Sequence, residues 1–272
     1  MARRQPRTSL AVEPLEGRRV MAASVAVGSE IGAGSTPLVR LVDVDTGAVK
    51  AQVLAFEANY RGGVRVAMGD VDGDGTAEVL AAPGPGRLGE IRVFRQQVSG
   101  GTTTLSEMVA YRTLPFGARY TGGVEVACGD VDGNGREDIV AAMSRGAGTV
   151  NVFLSVAGAD PVQNVPHRTL TPFGATFNGG ASVAVADLGT FAGGRLLDSN
   201  TPDNKVEILV GSGPGTAAAV LAYDVSAAPR VLVRIAPATG QGGVSVSSGR
   251  VDGDAIDDIV ANAGRGGGGV TH

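Results

Sequence analysis

Four stretches of the chain alternate apolar and polar residues behind a pair of glycines: GGVRVAMGD from Gly62, GGVEVACGD from Gly122, GGASVAVAD from Gly179 and GGVSVSSGR from Gly242. A period of two predicts strands with one face toward a core. After each stretch comes an acidic segment and then a short apolar run, such as Val79-Leu80-Ala81-Ala82 or Ile139-Val140-Ala141-Ala142. These runs end in the Gly-rich turns AAPGPG, AAMSRGAG, LVGSGPG and ANAGRGGGG. Runs this short, closed by Gly, Pro or Ser, read as buried strands rather than helices. A third strand ends in an aromatic, at Phe94, Phe153 and Tyr223, and a fourth leads into LPFGARYTGG from Leu114 or LTPFGATFNGG from Leu170, with a looser version, LAFEANYRGG, from Leu54. Each unit is therefore four short strands.

The units recur at a period of about 60 residues, and four-stranded units repeated without helices indicate propeller blades, each burying its faces against its neighbours. The expected fold is all-β: a β-propeller of about four to five blades, incomplete at both ends. A tail at 1–21 precedes the repeats of 22–272, which divide into a partial blade at 22–60, blades at 61–120, 121–177 and 178–240, and a partial blade at 241–272. An arc left open exposes strand edges, which favours self-association.

The segment between the first two strands carries the chemistry. In GDVDGDGTAEVL, Asp70, Asp72 and Asp74 stand at loop positions 1, 3 and 5, Gly75 follows, and Glu78 closes at position 9. GDVDGNGREDIV repeats this with Asp130, Asp132, Asn134 and Asp138. Alternate oxygen-bearing side chains, a turn glycine and a final acid suit Ca²⁺, which takes about six to eight oxygens, and the backbone carbonyls of Thr76 and Arg136 are the natural position-7 donors. An EF-hand or dockerin loop would need an acid at position 12 on an emerging helix. Here that position is Ala81 or Ala141, so these are expected to be calcium turns between strands. Soluble hairpin tips also favour Asp, Asn and Gly, but they do not need four oxygens at fixed spacing.

The loop, the Gly-Gly strand before it and the turns at Pro83–Gly86 and Gly213–Gly215 resemble those of FG-GAP and VCBS repeat proteins, including the head propellers of integrin α subunits. The resemblance spans roughly residues 22 to 270. It implies a loop that joins the first two strands of a blade and binds Ca²⁺. The ligand role then falls on Asp70, Asp72, Asp74, Glu78, Asp130, Asp132, Asn134 and Asp138.

Two further loops depart from the pattern. The third begins at Asp187, takes the polar insertion GTFAGGRLLDSNTP, and recovers the spacing at Asp203 and Glu207, with Asp198 or Asn200 as a replacement ligand. The fourth keeps Asp252, Asp254 and Asp258 but has Arg250 at position 1 and alanine at the turn glycine. A guanidinium at that place can pair with carboxylates instead of a metal. The expected affinity order is the first loop, then the second, then the other two.

Composition adds limits. With 43 glycines among 272 residues the turns are frequent, while a hydrophobic fraction of 43% supports a packed core rather than disorder. A net charge of −4 gives no basic face for nucleic acid, and no run approaches a membrane span. The N-terminal string AVEPLEGRRVMAA resembles the leader of envelope and secreted proteins of planctomycete-type bacteria, which implies export to the envelope or the extracellular space. Cys128 has no intrachain partner and reads as a buried small hydrophobe. The two histidines, His167 and His272, have no nucleophile in a matching motif, so the chain is expected to be non-catalytic. Paired aromatics at Phe56 and Tyr60, Phe116 and Tyr120, and Phe173 and Phe177 suggest packing between blades. The expected function is a calcium-stabilised adhesion or binding module whose partner is an extracellular protein or polysaccharide. A lectin-like propeller is the alternative, weakened by the absence of Trp, and a fragment of a larger secreted enzyme is another.

Overall fold

In the computed structural model, the described residues are 24–264 without 33, 157–165, 193–194, 199–201, 204, 238–239 and 253. The leader-like tail, Asn200 and residues 265–272, which include His272, lie outside them.

Each alternating segment forms a strand that pairs antiparallel with the apolar run that follows it. The first sheet is β1 (Ser24–Gly28), β2 (Leu38–Asp43) and β3 (Val49–Leu54), and the second is β4 (Val64–Gly69), β5 (Glu78–Pro83), β6 (Arg92–Ser99) and β7 (Thr102–Glu107). A short 3₁₀ turn, Val109–Tyr111, leads on to β8 (Val124–Gly129), β9 (Asp138–Met143), β10 (Val150–Phe153) and β11 (Arg168–Leu170). The next sheet opens with β12 (Ala181–Ala186). Before it continues, the insertion folds as a two-stranded hairpin of β13 (Thr190–Ala192) and β14 (Arg195–Asp198). It then resumes with β15 (Glu207–Ser212), β16 (Val220–Asp224) and β17 (Arg230–Ile235), and β18 (Val244–Gly249) with β19 (Asp258–Ala263) forms the last sheet. The architecture is all-β, with three four-stranded antiparallel sheets in which strands pair in chain order.

The first three apolar runs are buried because both of their faces are covered, whereas the fourth, β19, expected to be buried as well, is only partly so and leaves Val260 exposed. Val79 and Ala81 pack into a cluster with Val39 and Leu41 of the first sheet, while Leu80 and Ala82 pack with Val124 and Val126 of the third. The same alternation sends Ile139 and Ala141 one way and Val140 and Ala142 the other. Successive side chains of a strand point to opposite faces, so one six-residue strand joins two interfaces. Each fully buried Val or Leu contributes roughly 1.5–3 kcal/mol. The leading strands also meet: β4 packs against β8, β8 against β12, and β12 against β18.

Glycine pairs sit where backbones touch. A Cβ on Gly84 would fall 1.8 Å from the Gly62 carbonyl oxygen, and one on Gly213 would fall 1.9 Å from that of Gly179. The recurring aromatics pack edge to face, with ring centroids 5.8 Å apart for Phe56 and Tyr60 and 5.1 Å apart for the other two pairs. The tyrosine hydroxyls reach these turns as well: Tyr60 donates to the Gly84 carbonyl at 2.6 Å and Tyr120 to that of Arg145 at 2.7 Å.

Candidate metal centres in the acidic loops

In the first loop Asp70 shapes the turn. Its Oδ1 accepts from the amides of Gly73 at 2.7 Å and Asp74 at 3.0 Å, and its Oδ2 accepts from Gly75 at 2.8 Å. Asp72 Oδ1 accepts from the Asp74 amide at 3.1 Å, and Asp74 Oδ1 from the Thr76 amide at 2.8 Å. Bringing three donors to one carboxylate curls the chain, which needs φ of +74° at Gly73 and +86° at Gly75. Glu78 opens β5 fully buried. Its Oε2 accepts from the Val71 amide at 3.2 Å, and its Oε1 has no hydrogen-bond partner. Burial, then the nearby Asp74 carboxylate, pushes the Glu78 carboxyl up to about 7.

The second loop repeats this design. Asp130 accepts from Gly133, Asn134 and Gly135, Asp132 from Asn134, and Asn134 Oδ1 from the Arg136 amide. Asn134 Nδ2 donates to the Ser155 carbonyl at 2.9 Å. Asp138 is fully buried, accepts from Val131 at 3.0 Å and from Ser155 at 2.8 Å, and is pushed up to about 7 by burial against those two bonds.

Ligand oxygens of Asp70, Asp72 and Glu78 lie within 4.8 Å of one another, as do those of Asp130, Asp132 and Asp138. Two oxygens on one Ca²⁺, each about 2.4 Å from it, stand at most about 4.8 Å apart. Both clusters therefore have the span of a metal site. The buried Glu78 Oε1, which has no hydrogen-bond partner, is the kind of atom a cation would satisfy. Asp74 stands outside the first group, and its Oδ2 is 3.9 Å from Arg95 Nε.

In the third loop Asp187 is buried and accepts from Gly189 at 3.0 Å, Asp203 accepts from Lys205 at 3.1 Å, and Glu207 accepts from Leu188 at 3.0 Å. Burial, with Asp203, Asp187 and Asp224 adding repulsion against the Leu188 hydrogen bond, pushes Glu207 up to about 7. Asp252, Asp254 and Asp258 of the fourth loop keep their turn bonds, Asp258 accepting from Val251 at 2.8 Å. Arg250 does not reach those carboxylates: its ion pair is with Asp257, 3.6 Å away.

Two contacts recur that the sequence reading missed. In all four loops the position-2 amide, of Val71, Val131, Leu188 or Val251, donates to the position-9 acid. The loops are also tied to one another. The position-8 amide of each later loop donates to the position-1 carbonyl of the loop before it: Glu137 to Asp70 at 3.1 Å, Val206 to Asp130 at 2.9 Å and Asp257 to Asp187 at 2.8 Å. Arg136 adds a guanidinium hydrogen bond to the Asp72 carbonyl over Gly73. Aligning the repeats at Glu78 and Asp138 would have flagged positions 2 and 8, although their bonding needs the folded register.

Cys128 is buried and its thiol is raised by that burial, in line with a packing role. His167 Nδ1 accepts from the Leu154 amide at 3.1 Å. Among the described residues no helix is long and apolar enough to cross a membrane.

A comparison with curated proteins finds no match. Solved structures similar to this chain include the rhamnogalacturonan lyase YesW (16% identity, TM-score 0.42, 86% of this chain and 50% of that one). Two others are a Bacillus licheniformis rhamnogalacturonan lyase (18%, 0.44, 88% and 51%) and the exotype rhamnogalacturonan lyase YesX (14%, 0.44, 90% and 57%). The chain thus spans about half the length of these enzymes. Residues 70–141, which carry both complete loops and the strands between them, match the family model of the FG-GAP-like repeat, so the resemblance read from those loops is borne out over that stretch.

Proposed function

We propose that the chain is a calcium-stabilised, propeller-type repeat module, non-catalytic itself, that presents a binding or adhesion surface to an extracellular protein or polysaccharide. The export part of this reading rests on the leader-like string AVEPLEGRRVMAA at residues 11–23. The observation that carries the calcium part is the pair of acidic clusters, each closed by a fully buried acid. Fully buried carboxylates beside like charges are unfavourable when ionised, and a divalent cation reverses that balance.

In this reading Ca²⁺ supplies charge compensation and no chemistry on a substrate. Asp70 and Asp130 hold the loop shape and, with Asp72, Asp132, Glu78 and Asp138, present oxygens, and the amides of Glu137 and Val206 tie each loop to the next. Metal binding then stabilises the interface between neighbouring sheets as well as one turn. Thermal melting of the full chain in millimolar Ca²⁺ and in excess EDTA tests it. Melting several degrees higher in Ca²⁺ is expected, and coincident curves would overturn the proposal.

A further inference from the structure

Strand register places one residue directly across from the closing acid of each loop. Val79 pairs with Phe94, so Arg95 comes opposite Glu78; Ile139 pairs with Phe153, so Leu154 comes opposite Asp138; Ile208 pairs with Tyr223, so Asp224 comes opposite Glu207. One position of the repeat thus carries a cation, an apolar residue and an anion in turn.

In the first loop the cation reaches the cluster. Arg95 Nη2 pairs with Asp72 Oδ2, and Arg95 Nε is 3.9 Å from Asp74 Oδ2 and 3.8 Å from Glu78 Oε1. Neither Glu78 Oε1 nor Arg95 Nε has a hydrogen-bond partner, so the two face each other as charges without a bond. Glu78 is fully buried, whereas the Arg95 side chain is 39% exposed and can swing into solvent. We infer that Arg95 is a built-in counter-cation of the first loop that competes with the divalent ion, leaving the second loop, where Leu154 holds the same place, as the tighter calcium site. This rests on the calcium reading above.

Formal charge alone does not separate the two sites. Counted over its own four carboxylates and Arg95, the first loop has the same formal balance as the three carboxylates of the second. Access to oxygens does separate them, because Arg95 holds an oxygen of Asp72 that a metal would need, and its charge repels an ion in the same space. The affinity order expected from side-chain counting is thereby reversed. Metal entry in the first loop becomes an exchange in which the guanidinium leaves as the ion binds.

Equilibrium dialysis of the full-length chain against Ca²⁺ isolates the effect when the second loop is disabled by Asp132→Ala. The double variant D132A/R95L, which gives the first loop the residue the second already has, is expected to bind calcium about tenfold or more tightly than D132A alone. Arg95→Gln in the same background keeps most of the side-chain length without the charge and is expected to act in the same direction, which covers a failure of R95L to fold. Equal affinity in D132A and in the charge-removed double variants overturns the role of Arg95 while leaving the calcium reading standing. Absence of calcium binding in the wild type and every variant overturns both. In EDTA, R95L should also melt below the wild type, because its carboxylates lose their counter-charge; an unchanged melt counts against the inference.

Discussion

Gly73 combines two demands that only glycine meets together. Its φ of +74° disfavours any Cβ, and a Cβ there would fall 2.6 Å from the Arg136 guanidinium carbon. Gly75 has φ of +86° but open space around it. Gly75→Ala should therefore carry only the backbone strain, about 1–2 kcal/mol. Gly73→Ala should also displace Arg136 from the Asp72 carbonyl, for roughly 1 kcal/mol more. Urea unfolding of both variants checks the difference, and equal losses would contradict the contact between loops. The two acidic clusters were legible because side-chain chemistry at fixed spacing is written in the chain. Arg95 was not, because its place opposite Glu78 depends on how β5 and β6 pair across an intervening turn. Aligning Phe94, Phe153 and Tyr223 and stepping one residue on would have exposed it.

The closing acids also set a pH dependence for the metal-free chain. Glu78, Asp138 and Glu207 have folded-state values near 7, above the usual carboxylate range. A raised acid favours folding while protonated, so its stabilisation is complete below the unfolded value of about 4 and is lost as pH rises toward 7. In EDTA the melting temperature should fall between pH 5.5 and pH 8, and the gain from added Ca²⁺ should be larger at pH 8. A flat profile in EDTA would remove these carboxyls as the cause.

At the scale of strands, the pattern predicts a buried second strand in each unit; β5 and β15 are buried along their whole length, while β19 is only partly buried. The signal is strong because a continuous apolar run between Gly-rich turns has few other solutions. The hairpin of β13 and β14 was read only as a polar insertion, since segments of three and four residues carry too little periodicity to show a strand. The aromatic pairs illustrate a second limit. Their recurrence was visible, but the hydroxyl bonds of Tyr120 to the carbonyls of Gly123 and Arg145 depend on how the Gly-rich turn folds back. Tyr120→Phe should cost about 1 kcal/mol in denaturant unfolding. Phe177 stands at the same place in the next repeat, so the substitution should leave the fold intact. A loss within error of zero would make those bonds incidental.

For the whole molecule, the repeat period made an all-β architecture readable before any contact was known. The stacking of sheets follows from the two-faced strands, with Val79 and Leu80 committed to different neighbours. The linkage between loops was hidden, because it runs through backbone amides and leaves no side-chain signature. Glu137 to Asp70, Val206 to Asp130 and Asp257 to Asp187 form one series along the stacked sheets. In the proposed calcium-bound state, a metal in one loop would stiffen the carbonyl that receives the next sheet. Amide hydrogen exchange of the full chain in Ca²⁺ and in EDTA measures this most directly. Calcium should slow exchange in peptides covering 130–138 and in the linked amide of Val206, with a smaller effect at 70–78 where Arg95 competes; exchange in these peptides that is the same in Ca²⁺ and EDTA would contradict calcium as the brace between sheets.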